Sequence, residues 1–289
     1  MSDTTAENHT AKNRTADMSS DELTERLAHP GYPRSNHYDA RWIIENQMGP
    51  HPLWLLEWLA PALRLEDLRP GARILDLGCG RALTSVFLAK EYDVQVVAAD
   101  LWIKPDDNAV RIAEAGVADR VLPMHAEAHA LPFAEGTFDA IVSVDAYHYF
   151  GSDTLYLPSL ARLLKPGGRI GVVVPGLREE PAGTEPPEHL KPFWEPDFWS
   201  FHSADWWRRT WERSAAVAVE AADWLADGWR DWLLWSKVCA EESPSEFMAG
   251  MARESVELVR TDQGRALGFV RVVGRRAPGS AGNGGSAAS

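Results

Sequence analysis

The stretch "ILDLGCGRALTS", residues 74–85, decides the fold. Ile74 to Leu77 read as a buried strand, the run breaks on Gly78 and Gly80, and the residues from Arg81 onward read as a helix. A strand, a glycine turn and a helix in that order open a parallel α/β unit, and the turn lets backbone amides approach a ligand closely. The same alternation continues downstream. "VQVVAAD" is a strand, "PDDNAVRIAEAG" a helix ending on Gly116, and "RVLPMH" a short strand. "TFDAIVSVD" is another strand, "SDTLYLPSLARLL" a helix stopped by "KPGG", and "RIGVVVPG" a fifth strand. Strands and helices in this rhythm predict a parallel sheet with right-handed crossovers.

Upstream, residues 39–68 carry a helical pattern, with "HPLWLLEWLAPALRLEDL" amphipathic and interrupted by Pro61. After Pro175 the rhythm fails. Residues 177–214 are rich in proline and aromatics and too long for a simple connection. A strand-like "AAVAVEAA", helices and a closing strand "LGFVRVVGRR" follow. The expected organisation is a tail (1–20), a helical N-terminal cap (21–70), a core (71–176), an aromatic lid (177–214), the end of the core sheet with helices (215–276) and a second tail (277–289). Both tails read as disordered.

A chain of 289 residues with 45% apolar content suits one large domain or a domain with a cap. The net charge of −13 repels phosphate backbones and anionic lipid, so the expected partner is a small neutral or cationic molecule, with no nucleic acid and no membrane. Two cysteines, Cys79 and Cys239, make neither a disulfide framework nor a Cys-rich zinc site. The polar N-terminus lacks a signal-like apolar segment, and the expected location is the cytoplasm. His125 and His129 have the spacing of a metal pair only if helical, and with a strand ending between them no metal site is expected.

The ligand of the glycine turn is narrowed by its neighbours. Gly78, Gly80 and Asp100 fall at the carboxyl ends of adjacent strands, where open parallel sheets hold ligands. Asp100 lies twenty residues after Gly80, a spacing that suits a carboxylate gripping ribose hydroxyls in several cofactor classes. The dinucleotide pattern asks for a third glycine where Leu83 stands. Asp76 would also face a pyrophosphate, and like charges about 4 Å apart repel by roughly 4 kcal/mol at an effective dielectric near 20. A ligand carrying an ammonium and a sulfonium would be attracted by the same carboxylate. No Gly-Lys-Ser/Thr follows the turn, which excludes a P-loop.

"ILDLGCG", "VVAAD", "AEAHALPF", "FDAIVSVDAYHYF" and "LARLLKPGGRIGVVVPG" occur in that order across residues 71–175. Together they resemble the class I S-adenosylmethionine (SAM)-dependent methyltransferases, most closely the small-molecule branch of the ubiquinone and menaquinone enzymes. The resemblance implies a doubly wound, mostly parallel seven-stranded Rossmann-like sheet. It implies SAM as methyl donor and S-adenosylhomocysteine as product. Asp76 and Gly78 would hold the methionine end, Gly80 would line the turn, and Asp100 would bind both ribose hydroxyls. Leu101 and Trp102 would pack on adenine, Glu127 would accept from the adenine amino group, and the Ala128 amide would meet a ring nitrogen. Ala82 departs from the family, where a glycine is common.

Methyl transfer from a sulfonium is an in-line displacement that draws most of its rate from alignment. Helpers are expected after the fourth strand, where Asp145, Tyr147 and His148 stand in "VDAYHYF", with His148 the neutral-pH base. "DAYH" lacks the Asn/Asp-Pro-Pro-Tyr pattern of DNA and protein-amide methyltransferases. Nine of the thirteen tryptophans fall between Trp194 and Trp235, and Ser203 reads as the N-cap of a helix bearing Trp206, Trp207 and Trp211. An aromatic wall is therefore expected at the acceptor, with His202 as a polar handle, and it points to an aromatic or indole-like natural product. "NQMGP" is expected near the methionine part of SAM, with Tyr32, Tyr38 and Met48 facing the acceptor. Two alternatives are a non-catalytic SAM-binding regulatory protein and an NAD-dependent oxidoreductase.

Overall fold

The computed structural model describes residues 18–277. The tail expectations for residues 1–17 and 278–289 lie outside the described residues. Ser19, assigned to the first tail, instead caps helix α1 (Ser20–Leu27) through a capping box with Glu22. Asp39 caps α2 (Ala40–Asn46) by accepting from the Arg41 and Trp42 amides. His51 caps α3 (Pro52–Leu63) with its ring nitrogen.

Pro61 does not interrupt α3. It lies in the last turn, and the helix ends at Arg64, whose left-handed backbone turns the chain out. The helix is buried along Leu53, Leu55, Leu56, Leu59 and Leu63, so packing offsets the one hydrogen bond that proline removes. Nor is α3 only a cap. A Cβ on Gly171 would press on Leu59 and Leu63 at 3.0–3.1 Å, so the absent side chain lets α3 lie directly on the sheet.

The sheet begins with β1 (Arg73–Leu77), followed by α4 (Leu83–Tyr92), β2 (Gln95–Asp100), α5 (Pro105–Glu114) and β3 (Val121–His125). Next come β4 (Phe138–Val144), α6 (Tyr156–Ala161) and β5 (Leu164–Leu177). The chain finishes with α7 (Ala204–Ser214), β6 (Val217–Trp224), α8 (Gly228–Glu242), α9 (Glu246–Asp262) and β7 (Leu267–Arg276). The seven strands are ordered β3-β2-β1-β4-β5-β7-β6, with β7 antiparallel to both neighbours. "KPGG" does not stop α6 directly. The helix ends at Ala161, and Lys165 to Gly168 lie inside β5, where Gly167 takes a φ of +80° beside an irregularity in the β4–β5 register.

Both faces of the sheet are covered. Ile170, Val172 and Val174 of β5 enter one apolar cluster and Val173 enters the other, which is why a buried parallel strand reads as a continuous apolar run. The chain leaves β1 toward β2 on one side and returns through β4 on the other. The crevice at the carboxyl ends of β1 and β4 is the topological switch point. No helix among the described residues is long and apolar enough to cross a membrane.

Candidate active site

A cavity of about 330 Å³ opens at that switch point. Its floor is the turn after β1. Gly78 and Gly80 have φ of +72° and +52°, the left-handed region that glycine enters without strain. A Cβ on Gly78 would overlap the Ala146 methyl, and one on Gly80 would meet Met48 Sδ at 3.1 Å. Ala82 adopts the same left-handed region at φ +62°, so here the chain keeps a methyl where glycine is the easier residue.

Asp100 ends β2 and braces the turn. One carboxylate oxygen accepts from the Gly80 amide at 2.8 Å, and the other accepts from the Trp102 and Ile103 amides at 2.8 and 2.9 Å. Leu101, Trp102, Glu127 and Ala128 also line the cavity. Glu127 is half-exposed and bonded to the His129 ring and amide, which hold its carboxyl below the usual range.

Asp76 stands elsewhere than expected. It is fully buried and does not line the cavity; one oxygen accepts from Thr84 Oγ1 at 2.7 Å and Ser85 Oγ at 2.6 Å, and the other has no hydrogen-bond partner. Burial pushes its carboxyl up to about 6. Its contacts tie the end of β1 to the first turn of α4, so it shapes the glycine turn from behind. The signal was present in sequence as two hydroxyls opening the helix that follows the turn.

After β4 the structure separates the three expected helpers. Asp145 lines the cavity, with its backbone at φ +56°. Burial raises its carboxyl to about 7. Tyr147 is fully buried among Phe150, Tyr156, Trp207 and Trp211, and His148 is buried beneath Tyr149 and Phe201. Neither lines the cavity, and burial lowers the His148 imidazole to about 4. Of residues 147–149 it is Tyr149 that faces the cavity, its ring centroid 5.5 Å from that of Trp102. Residues 147–149 form one turn of 3-10 helix, so successive side chains diverge and only one of them meets the cavity.

The aromatic wall is likewise a core feature. Ser203 does cap α7, accepting from the Trp206 amide, but Trp207 and Trp211 are fully buried against the sheet. His202 stacks on Trp206 at 3.6 Å and pairs with Glu180, away from the cavity. Tyr32 donates to Asp231 and Tyr38 to Glu91, also outside it. Met48 does line it, with Asn46, Gly49 and Pro50 of the "NQMGP" segment.

A polar chain unseen in the sequence holds that segment down. Arg81 donates to the Glu45 carbonyl at 2.9 Å, and Arg111 donates to Asn46 Oδ1 at 2.7 Å and to Asn108 Oδ1 at 3.1 Å. Asn108 donates in turn to the Gly80 carbonyl at 2.9 Å. Among the described residues no group of three or more His, Cys, Asp or Glu is placed to hold a metal.

The cradle fits SAM. Two glycines bring bare backbone to the cavity, a carboxylate stands at the end of β2, and Asp100, Glu127 and Asp145 make the lining acidic around a cationic sulfonium. A methyltransferase-domain model matches residues 74–168. In domain and fold the chain is similar to the class I SAM-dependent methyltransferases.

Individual relatives sharpen the likeness. The 27-O-demethylrifamycin SV methyltransferase of Amycolatopsis mediterranei is 34% identical over 41% of this chain and 44% of its own length. The 2-methyl-6-phytyl-1,4-hydroquinone methyltransferase of a Synechocystis species is 29% identical over 58% of this chain and 54% of its own. The chain thus spans about half the length of these curated relatives. The solved geranyl diphosphate C-methyltransferase of Streptomyces coelicolor superposes with a TM-score of 0.61 at 18% identity, covering 93% of this chain and 92% of that one.

Proposed function

We propose that this chain is a SAM-dependent methyltransferase acting on a small-molecule acceptor. The observation that carries the reading is that Asp100 and Asp145 open on one cavity from opposite sides of the Gly78–Gly80 turn. The backbone at Gly78 and Gly80 receives the methionine end of SAM, with Asp76 holding the turn through Thr84 and Ser85. Asp100 accepts the ribose hydroxyls, Leu101 and Trp102 cover adenine, and Glu127 and the Ala128 amide meet its polar edge. Bound SAM supplies an electrophilic methyl group.

The protein contributes alignment and shielding. The strap from Asn46 to Pro50 covers the turn, and restricting both reactants in one cavity can supply on the order of 7–11 kcal/mol toward an in-line displacement. Where the acceptor must lose a proton, Asp145 is the cavity-lining carboxylate without a hydrogen-bond partner among the described residues. Tyr147 and His148 support the loop from within the core. With Trp207 and Trp211 in the core and Trp206 stacked on His202 outside the cavity, the case for an indole-like acceptor no longer rests on them. Location in the cytoplasm fits a small-molecule acceptor.

Calorimetric titration with SAM and, separately, with NAD tests the reading. Micromolar binding of SAM, lost in Asp100→Ala and absent for NAD, is expected. Failure of the wild type to bind SAM, or binding of NAD in its place, would sink it. SAM binding without methylation in a broad acceptor panel would favour a regulatory SAM-binding role instead.

A further inference from the structure

Resting on that reading, we infer that the acceptor carries a basic amine, and that Asp145 with the rings of Tyr149 and Phe150 forms an ammonium subsite in the cavity. The Asp145 carboxylate lines the cavity, yet no hydrogen bond or ion pair to it occurs among the described residues. Three other carboxylates at or behind the same turn are engaged within the protein: Asp76 by Thr84 and Ser85, Asp100 by three amides, Glu127 by His129. Asp145 alone of this group has no hydrogen-bond partner among the described residues.

Its placement follows from the backbone. The Asp145 amide continues the ladder onto the Val173 carbonyl at 2.8 Å, and the left-handed φ then turns the chain out of β4. The carboxylate is directed at the strap, where a Cβ on Gly49 would overlap Asp145 Oδ2. Gly49 is fixed on its other side by its carbonyl, which accepts from Trp235 Nε1 at 2.9 Å. Arg81 lines the cavity too, and one of its terminal nitrogens donates to the Glu45 carbonyl at the end of α2.

A carboxylate with no cation beside it, in a cavity that also presents aromatic rings, recognises one chemistry well. A cation on the acceptor neutralises the partly buried charge and lies against ring faces that attract it. Tyr149 packs against His148 at 4.0 Å between ring centroids and retains 51% exposure, so part of its ring is open to a ligand. An anionic acceptor would bring like charge to Asp145, and a purely hydrophobic one would leave the carboxylate to the cofactor's own cations.

The chemistry balances. A protonated amine gives its proton to the Asp145 carboxylate, and the freed lone pair attacks the methyl carbon. The C–N bond forms as the C–S bond breaks, and sulfur keeps the electron pair as a neutral thioether. The alkylated nitrogen becomes the new cation beside Asp145. A protonated tertiary amine loses its proton to the same carboxylate and yields a quaternary ammonium.

Choline and its neutral isostere 3,3-dimethylbutan-1-ol are the probes, titrated into protein saturated with S-adenosylhomocysteine. Choline is expected to bind about tenfold more tightly or better, as one cation–π and charge pairing supplies. Asp145→Asn should abolish that preference while S-adenosylhomocysteine still binds, and Tyr149→Leu should reduce it several-fold. Equal binding of the two probes by the wild type would overturn the inference. So would a preference that survives in both variants. Loss of S-adenosylhomocysteine affinity in Asp145→Asn, with the choline preference unchanged, would assign the carboxylate to the cofactor's own amino group and overturn it as well. If S-adenosylhomocysteine fails to bind the wild type, the methyltransferase reading itself falls, and the subsite with it.

Discussion

Asp100 accepts a hydrogen bond from the Gly80 amide at 2.8 Å, which ties the end of β2 to the glycine turn that follows β1. The same carboxylate also holds the Trp102 and Ile103 amides, so one side chain fixes both walls of the nucleoside end. Asp100→Ala is expected to weaken SAM binding at least a hundredfold, because three amides lose their acceptor as well as the ribose losing its partner. Asp100→Asn keeps one acceptor oxygen and should fall between the two. Calorimetry on the three proteins checks the ranking, and equal affinities would refute the role.

Gly78 is constrained twice, by its φ of +72° and by the Ala146 methyl where its Cβ would go. Gly78→Ala should therefore lose SAM binding and lower Tm together. Gly136 supplies the control, with a φ of +68° and nothing within 4 Å of a built Cβ. Gly136→Ala should cost only the backbone penalty of about 1–2 kcal/mol and leave SAM affinity alone. Thermal melts and titrations of the pair separate steric closure at the turn from ordinary glycine strain.

Asp145 makes the ligand-free protein less stable as pH rises. Burial lifts its carboxyl from 3.8 to about 7, so between these values the folded state keeps a proton that the unfolded chain has released. Stability therefore falls through that window and levels off above it. Asp145→Asn removes the penalty and should be more stable than wild type at pH 8, by on the order of a few kcal/mol, and equally stable near pH 3.5. A variant less stable than wild type at pH 8 would show that the carboxylate is satisfied in the fold.

The two classes of tryptophan also differ in what they support. Trp211 is fully buried on the face of α7 that meets the sheet, whereas Trp102 is 66% exposed at the cavity opening. Trp211→Ala is expected to cost about 3–5 kcal/mol of stability. Trp102→Ala should leave Tm within about 1 kcal/mol of wild type and weaken SAM binding instead. Melting curves and titrations on both variants test the separation.

That contrast explains what the sequence could and could not disclose. Buried strands such as "RIGVVVPG" announce themselves because both faces are apolar, and the glycine turn with Asp100 is local enough to read from spacing. Trp206, Trp207 and Trp211 announce a helix, but their density does not say which side of the sheet receives them. Tyr147 and His148 are adjacent to Tyr149, and only the pitch of a single 3-10 turn decides which ring meets the cavity. Pro61 reads as a break because local propensity is blind to the packing of Leu59 and Leu63 against Gly171. Arg111 gave no signal at all, since its partners Asn46 and Asn108 come together only through the fold.

Arg111 is where the strap over the cavity is anchored. Its guanidinium bridges Asn46 at the end of α2 and Asn108 in α5, and Asn108 reaches the Gly80 carbonyl. Removing it leaves the glycine turn intact but frees the strap from α5. Arg111→Ala should speed the release of S-adenosylhomocysteine about three- to tenfold with little change in Tm, because the strap covers the ligand without building the core. Arg111→Lys should not restore slow release, since an ammonium cannot span both asparagine oxygens as the planar fork does. Stopped-flow displacement, followed by tryptophan fluorescence at Trp102, measures the rate. Release unchanged in Arg111→Ala would mean that Arg81 and the packing of Met48 on Gly80 hold the strap without it.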